Sequence, residues 1–183
     1  MSVFVDHTIE SAPPAARRSI ESVVKRLGYL PTPVSRLAGS PQLLDAFLKT
    51  SHLFETTTLD ALSQEVVIMT MATRNGCHVC VAMHTGRLVA LDADADLIAA
   101  TRAGQPLGDA RLEAIRRFTL DVLATTGQVT DEQLAAFLAQ GYTSQNALEV
   151  VLGIGAYTMS TLANRMTDAP LDEQLAPFAW PAA

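Results

Sequence analysis

The sequence has no run of lysine and arginine, and its formal net charge is -6, so it lacks the electrostatic footprint that nucleic-acid binding needs. The pairs Arg17-Arg18 and Arg116-Arg117 read as solvated helix faces. No uninterrupted apolar stretch approaches the roughly 20 residues of a bilayer span, so no membrane partner is expected. The opening "MSVFVDHTIESAPPAARR" lacks a basic start, an apolar core and a small-residue cleavage site, so a cytoplasmic location is expected. Cysteine is scarce, with two residues, too few for a disulfide framework. In a reducing compartment, a lone C-x-x-C is redox-active or metal-binding before it is a staple. Charge is also sparse, at 17% against 49% hydrophobic residues. That balance predicts that other subunits cover part of the apolar surface.

Strand alternation is missing as well, and what remains is helical throughout. The chain is expected to form one all-α domain over 1–183. Ile20, Val23, Val24 and Leu27 recur at helical spacing and stop at Gly28, a glycine C-terminal cap. "YLPTP" predicts a turn or extended piece. Ser40-Pro41 predicts an N-cap with proline at the first helical position, opening a helix through Leu44, Phe47 and Leu48. A further helix is expected from about Ser63 to Arg74, broken at Asn75-Gly76 because both residues tolerate positive φ. The next begins near Cys77 and reaches Ala90. A short helix then ends at Gly104, and a longer one buries Leu112, Ile115, Thr119, Val122 and Leu123. Thr130 with Gln133 makes a capping box. The last helix, "TSQNALEVVLGIGAYTMSTLANRM", carries Gly153 and Gly155, which permit a neighbour to approach closely. The terminal "LDEQLAPFAWP" reads either as an arm on a neighbouring subunit or as a loose tail.

The stretch "QEVVIMTMATRNGCHVCVAMHTGRL" holds both cysteines, two of the four histidines and an isolated acid, Glu65. At about 100° per residue, Cys77, Cys80 and His84 fall within roughly 60° of arc, so both thiols and the imidazole share a helix face. A fold-back at Asn75-Gly76 brings Glu65 level with His84 and Arg87. A thiol attacks as thiolate, and a histidine or a helix N-terminus lowers its pKa. A second cysteine one turn away traps the resulting sulfenic acid as a disulfide, and a carboxylate behind the histidine fixes its tautomer. Cys77 lies closer to the positive end of the helix dipole, whereas Cys80 lies one turn from His84. The directed base tips the choice of attacking thiol toward Cys80. Blander readings stay open. The thiols could be inert and buried, Glu65 could simply pair with Arg87, or Cys77, Cys80 and His84 could bind zinc with His52 as the fourth ligand.

Glu65, Cys77-x-x-Cys80 and His84, at that spacing, resemble the core motif of the AhpD-like alkylhydroperoxidase group in the carboxymuconolactone decarboxylase superfamily. The motif covers 65–104, and the downstream helices look like the same family's second half. The resemblance implies an AhpD-like helical subunit in a homotrimer or homohexamer, working without a cofactor or metal. It also implies a hydroperoxide substrate, a dithiol or protein reductant, Cys80 as attacking thiol, Cys77 as resolving thiol, and Glu65 with His84 as proton relay. One departure stands out. The best-studied members carry a histidine just before the second cysteine, where this chain has Val79 and places its histidine at 78. The relay is therefore expected to be incomplete or differently routed. The decarboxylases of the superfamily lack the cysteine pair, so ring decarboxylation is a poor reading. The expectation is a thiol-dependent peroxidase, with disulfide exchange or oxidant sensing on the same fold as the alternative.

Overall fold

From Ser40 onward each α-helix starts where a side chain catches one of the first free backbone N–H groups, whereas the two helices before it start after a proline with no side-chain cap. The computed structural model describes residues 3–181, and among these no strand occurs. Its helices are α1 (Pro14–Leu27), α2 (Thr32–Leu37), α3 (Pro41–Glu55), α4 (Ala61–Arg74), α5 (His78–Ala90), α6 (Ala95–Ala103), α7 (Ala110–Thr125), α8 (Asp131–Leu138) and α9 (Ser144–Met166), followed by a 3-10 turn over Glu173–Phe178. Ser40 caps α3, Asp94 caps α6, Asp109 caps α7, and full capping boxes open α8 and α9. Helix α4 begins ahead of the expected Ser63, because Asp60 accepts the Ser63 N–H at 2.9 Å. "YLPTP" is extended only as far as Pro31; Pro33 sits in the first turn of α2, where a missing N–H costs nothing.

Helix α4 is the central element. Nine of its residues from Ser63 to Ala72 are buried, because α5, α6, α7 and α9 all pack around it. One apolar cluster joins α4 to α7 and α9 through Phe54, Val67, Ile115, Phe118 and Tyr157. A second holds α1, α2 and α3 together through Ile20, Val23, Leu37 and Leu44, with Ala163 of α9 beneath. Gly153 makes the α3–α4–α9 junction possible, since a Cβ there would lie 2.7 Å from the Phe54 ring and 3.0 Å from Val67. Gly155 faces open space within this chain.

The turn before α5 is locked from α9. Gly76 adopts φ +64, and a side chain there would collide with the Arg165 guanidinium. Arg165 donates to the Asn75 carbonyl at 2.6 Å, and the Asn75 amide donates to Thr161 Oγ1 at 2.8 Å. Asn75 itself stays right-handed, so glycine alone supplies the left-handed step. The terminal segment is neither a loose tail nor an arm reaching away from its own subunit. Phe178 covers Gly86 of α5. Trp180 Nε1 donates to the Arg102 carbonyl at 3.0 Å, Arg102 bonds the Phe178 and Ala179 carbonyls, and Asp172 accepts from Thr32.

Candidate active site

Cys77 occupies the N-cap of α5, and its Sγ takes the Cys80 backbone N–H at 3.4 Å, where serine or aspartate would normally stand. One turn of helix then carries Cys80 to within 2.8 Å of it, sulfur to sulfur, sharing a single S–H···S bond, and both cysteines are free and buried. A further turn places His84, whose Nδ1 lies 2.7 Å from Glu65 Oε2 on the antiparallel α4. Glu65 is 4% exposed and His84 8%. The other carboxylate oxygen of Glu65 faces Arg87 Nε at 3.6 Å. The expected meeting of Glu65 with both His84 and Arg87 is thus realised, and the arginine does not displace the imidazole.

The charge within the dithiol is unequally shared. The Cys77 thiol is lowered to about 7, first by the hydrogen bond from Cys80, then, against the effect of burial, by the Cys80 N–H, Asn164 and His84. Cys80 is raised well above the ordinary thiol, because it holds the shared proton, is buried, and faces the negative charge on Cys77. One proton therefore serves two sulfurs, and the lower ionisation falls on Cys77. Among the described residues no hydrogen bond joins His84 to either sulfur. His84 thus does not contact Cys80 as a directed base in this arrangement, and the lower ionisation falls on Cys77, at the helix N-terminus.

Access points the other way. A cavity of about 400 Å³ opens over α5, and Cys80, His84, Val79 and Met83 line it while Cys77 does not. Its opposite wall comes from α1, α2 and α3, through Val23, Pro33, Leu37, Phe47 and Leu48. The segment preceding Glu65 in sequence is therefore the roof of the site, a role that its helical spacing did not disclose. Val79 stands in the wall without a proton to give, and His78 is not part of the lining. Polar groups come instead from α9. Ser160 Oγ lies 3.6 Å from Cys80 Sγ, and Asn164 Nδ2 lies 3.4 Å from Cys80 Sγ and 3.8 Å from Cys77 Sγ. Tyr157 packs edge-on against His84 at 5.3 Å between ring centroids, and its phenol is raised by burial and by the nearby Glu65. Tyr157, Ser160 and Asn164 recur at spacings of three and four, a polar stripe on the face of α9 turned to the cavity. That stripe was legible in the sequence and is missing from its four-residue site.

The zinc alternative has no ligand set. Among the described residues no group of three or more His, Cys, Asp or Glu side chains is placed to hold a metal ion. Nor is any helix there long and apolar enough to cross a membrane.

Residues 41–121 match the carboxymuconolactone decarboxylase family. None of the curated proteins matches the chain in sequence. Among solved structures it is similar to a peroxidase-related protein from Ralstonia eutropha JMP134 with an alkylhydroperoxidase AhpD core. That match has a TM-score of 0.81 and 18% identity, over 95% of this chain and 94% of the other. A peroxidase-related protein from Silicibacter sp. TM1040 matches with a TM-score of 0.77 and 17% identity, over 93% and 92%. The debrominase Bmp8, as a cysteine-to-alanine variant with 2,3,4-tribromopyrrole, matches with a TM-score of 0.77 and 13% identity, over 97% and 96%. At such identities the structural likeness speaks for the fold alone. The chain thus matches the carboxymuconolactone decarboxylase family over 41–121 and shares an all-helical fold with AhpD-like proteins along nearly its whole length.

Proposed function

We propose that this protein is a thiol-dependent peroxidase that reduces organic hydroperoxides through a Cys77/Cys80 dithiol–disulfide cycle. The observation that carries the reading is the placement of Cys80 in the wall of an apolar cavity, with Cys77 touching it from behind. The shared proton shifts from Cys80 to Cys77 along the existing S–H···S contact, which converts the accessible sulfur into the thiolate. Access decides the attacking atom, because a proton crosses between touching sulfurs while a buried Cys77 cannot exchange places with Cys80. Cys80 Sγ attacks the distal peroxide oxygen; the O–O bond breaks, and the alkoxide leaves as an alcohol after taking a solvent proton that is relayed through His84 Nε2. Cys77 then attacks the Cys80 sulfenic acid, the S–O bond breaks, and its oxygen departs as water. An external dithiol or protein reductant returns two electrons by exchange. Glu65 holds the His84 tautomer with Nε2 free, and the peroxide oxygens or a water bridge the gap between imidazole and sulfur. With Val79 and His78 where the family pattern differs, Ser160 and Asn164 supply the remaining polar contacts.

The apolar lining favours an organic hydroperoxide over a polar substrate. The exposed face of α9, with Leu148, Val151, Leu162 and Met166, supports assembly into a homotrimer or homohexamer, and a monomeric mass in sedimentation at micromolar concentration counts against it. Disulfide exchange with a protein, the alternative, has to bring a partner sulfur in line with a Cys80 that is 4% exposed. The likeness to a debrominase favours a second small-molecule reading, in which the same two thiols replace C–Br by C–H, release bromide and close the disulfide.

The deciding experiment is the intact mass of reduced protein after one equivalent of cumene hydroperoxide. Wild type is expected to lose two hydrogens, and Cys77→Ser to gain one oxygen. Unchanged masses, with both cysteines still open to a thiol reagent, would overturn the peroxidase. Bromide release from a bromopyrrole, or rapid exchange with a protein disulfide, then identifies which alternative holds.

A further inference from the structure

We propose that Asn164 is a positioning residue of the dithiol, whose side-chain amide stabilises negative charge on Cys80 in preference to Cys77 and so brings the thiolate to the cavity. The proposal rests on the peroxidase reading only for what that thiolate attacks.

Three observations carry it. First, the Nδ2 group is the one side-chain donor shared by both sulfurs among the described residues, and it is nearer Cys80, at 3.4 Å against 3.8 Å. Second, Asn164 is 5% exposed, its amide makes no other hydrogen bond among the described residues, and its Oδ1 is buried without a partner. A purely structural asparagine in that position would use its carbonyl; this one is engaged by the sulfurs alone. Third, the two sulfurs have different donor sets. Beyond their mutual contact, Cys77 has the α5 N-terminus, the Cys80 N–H and the longer contact to Asn164, whereas Cys80 has Asn164 at 3.4 Å and, at 3.6 Å, Ser160. Without Asn164 the balance moves still further toward Cys77, which does not line the cavity. The unpartnered carbonyl gives the amide a second use. Turned over, it accepts the S–H of a protonated Cys80, so the amide follows the proton without breaking any other bond.

The titratable and charged groups facing this pair or its cavity are His84, with Glu65 and Arg87 behind it, on α4 and α5; Tyr157 on α9; Glu55 at the end of α3; and Arg26 of α1 in the cavity wall. None is altered by changing Asn164, so a shift in thiol ionisation reports on the amide.

The test reads the pH dependence of iodoacetamide labelling in single-thiol proteins, without peroxide, so that it stands apart from the peroxidase test. In Cys77→Ser, adding Asn164→Ala is expected to raise the half-ionisation pH of Cys80 by about one unit or more. In Cys80→Ser the same change is expected to move Cys77 by less. Asn164→Asp, which keeps the shape and adds a negative charge, is expected to raise Cys80 further still and guards against misfolding of the alanine variant. Equal shifts in the two backgrounds, or no shift with either substitution, would overturn the proposal. Failure of peroxide turnover with the expected shifts intact would instead remove the peroxidase reading and leave the role of Asn164 standing.

Discussion

The reduced dithiol should titrate as one low and one high thiol, and the hydrogen bond between the sulfurs should be the reason. Cys77 falls from the ordinary 9.0 to about 7. The largest contributor is the Cys80 side chain, while burial opposes it. Absorbance at 240 nm between pH 5 and 10 is then expected to show the amplitude of one thiolate near pH 7, with the second sulfur ionising only well above 9. Cys80→Ala removes the donor and should move the low step upward by a unit or more. Cys80→Ser keeps a hydroxyl that can donate, and should hold most of the depression. Two thiols ionising together at the ordinary value, or a low step untouched in Cys80→Ala, would refute the reasoning.

The same asymmetry fixes the sign of a stability profile. Below pH 7 Cys77 is protonated in both states and contributes nothing. Between 7 and the unfolded value of about 9 it is ionised only when folded, so the unfolded chain binds more protons and stability rises with pH. Above that value Cys80 is still protonated in the fold but ionised in the unfolded chain, and the slope reverses. Reduced protein is expected to be most stable near pH 8 to 9, with the rise lost in Cys77→Ser.

Glu65→Gln keeps the shape but removes the carboxylate that accepts from His84 at 2.7 Å; a charge-assisted bond of about 1.5–3 kcal/mol predicts a roughly ten- to hundredfold loss of peroxide turnover in a folded protein. Turnover within twofold of wild type would remove Glu65 from the relay. Gly153→Ala forces a methyl to 2.7 Å from the fully buried Phe54 ring and should cost about 1–3 kcal/mol in thermal unfolding. Gly155→Ala, facing open space within this chain, should instead stabilise the dissociated subunit by about 0.5–1 kcal/mol as a helix-interior glycine replaced by alanine. Glu149 is pushed up by burial, but the Thr58 N–H, Asn146, the Thr58 hydroxyl and Gln145 outweigh that and hold it below the ordinary carboxylate value of 4.5. Its contribution is therefore present above about pH 4.5 and lost as pH falls below, so Glu149→Gln should narrow the Tm gap to wild type in acid, and a pH-independent gap would contradict this.

The helices were legible because their ends are written in local chemistry. Gly28, Ser40, Gly104, Thr130 and Thr143 each terminate or cap an element within a residue or so of where they read. Helix α2 was not, because the two prolines of "YLPTP" disfavour helix interiors while suiting a first turn, and only tertiary packing of Val34 and Leu37 against α3 and α9 decides between the two. The path of the terminal segment was equally hidden. The fit of Phe178 onto Gly86 and the bonds of Arg102 to two carbonyls are contacts across long sequence separation, and no local pattern encodes them.

The site divides along the same line. Glu65, Cys77, Cys80 and His84 lie within a single helical hairpin, so helical period and one turn suffice to bring them together. The choice between sulfurs does not belong to that hairpin. Within it, Cys77 has the helix N-terminus and the lower ionisation, and a reading confined to α4 and α5 has no physical reason to prefer Cys80 once the direct His84 contact is gone. What sets Cys80 apart in the proposed cycle lies in α1, α2 and α3, which leave a cavity above it, and in α9, which brings Ser160 and Asn164 to the same sulfur. Those residues lie 80 and 84 positions from Cys80 in the chain. If attack belongs to Cys80, filling the roof should silence it without touching the dithiol. Leu37→Trp, from the wall opposite Cys80, is expected to abolish reaction with cumene hydroperoxide while the step near pH 7 in thiolate absorbance survives. Loss of that step would mean that the roof shapes the ionisation itself, and undiminished reaction would show that peroxide reaches the sulfurs by a route other than the cavity.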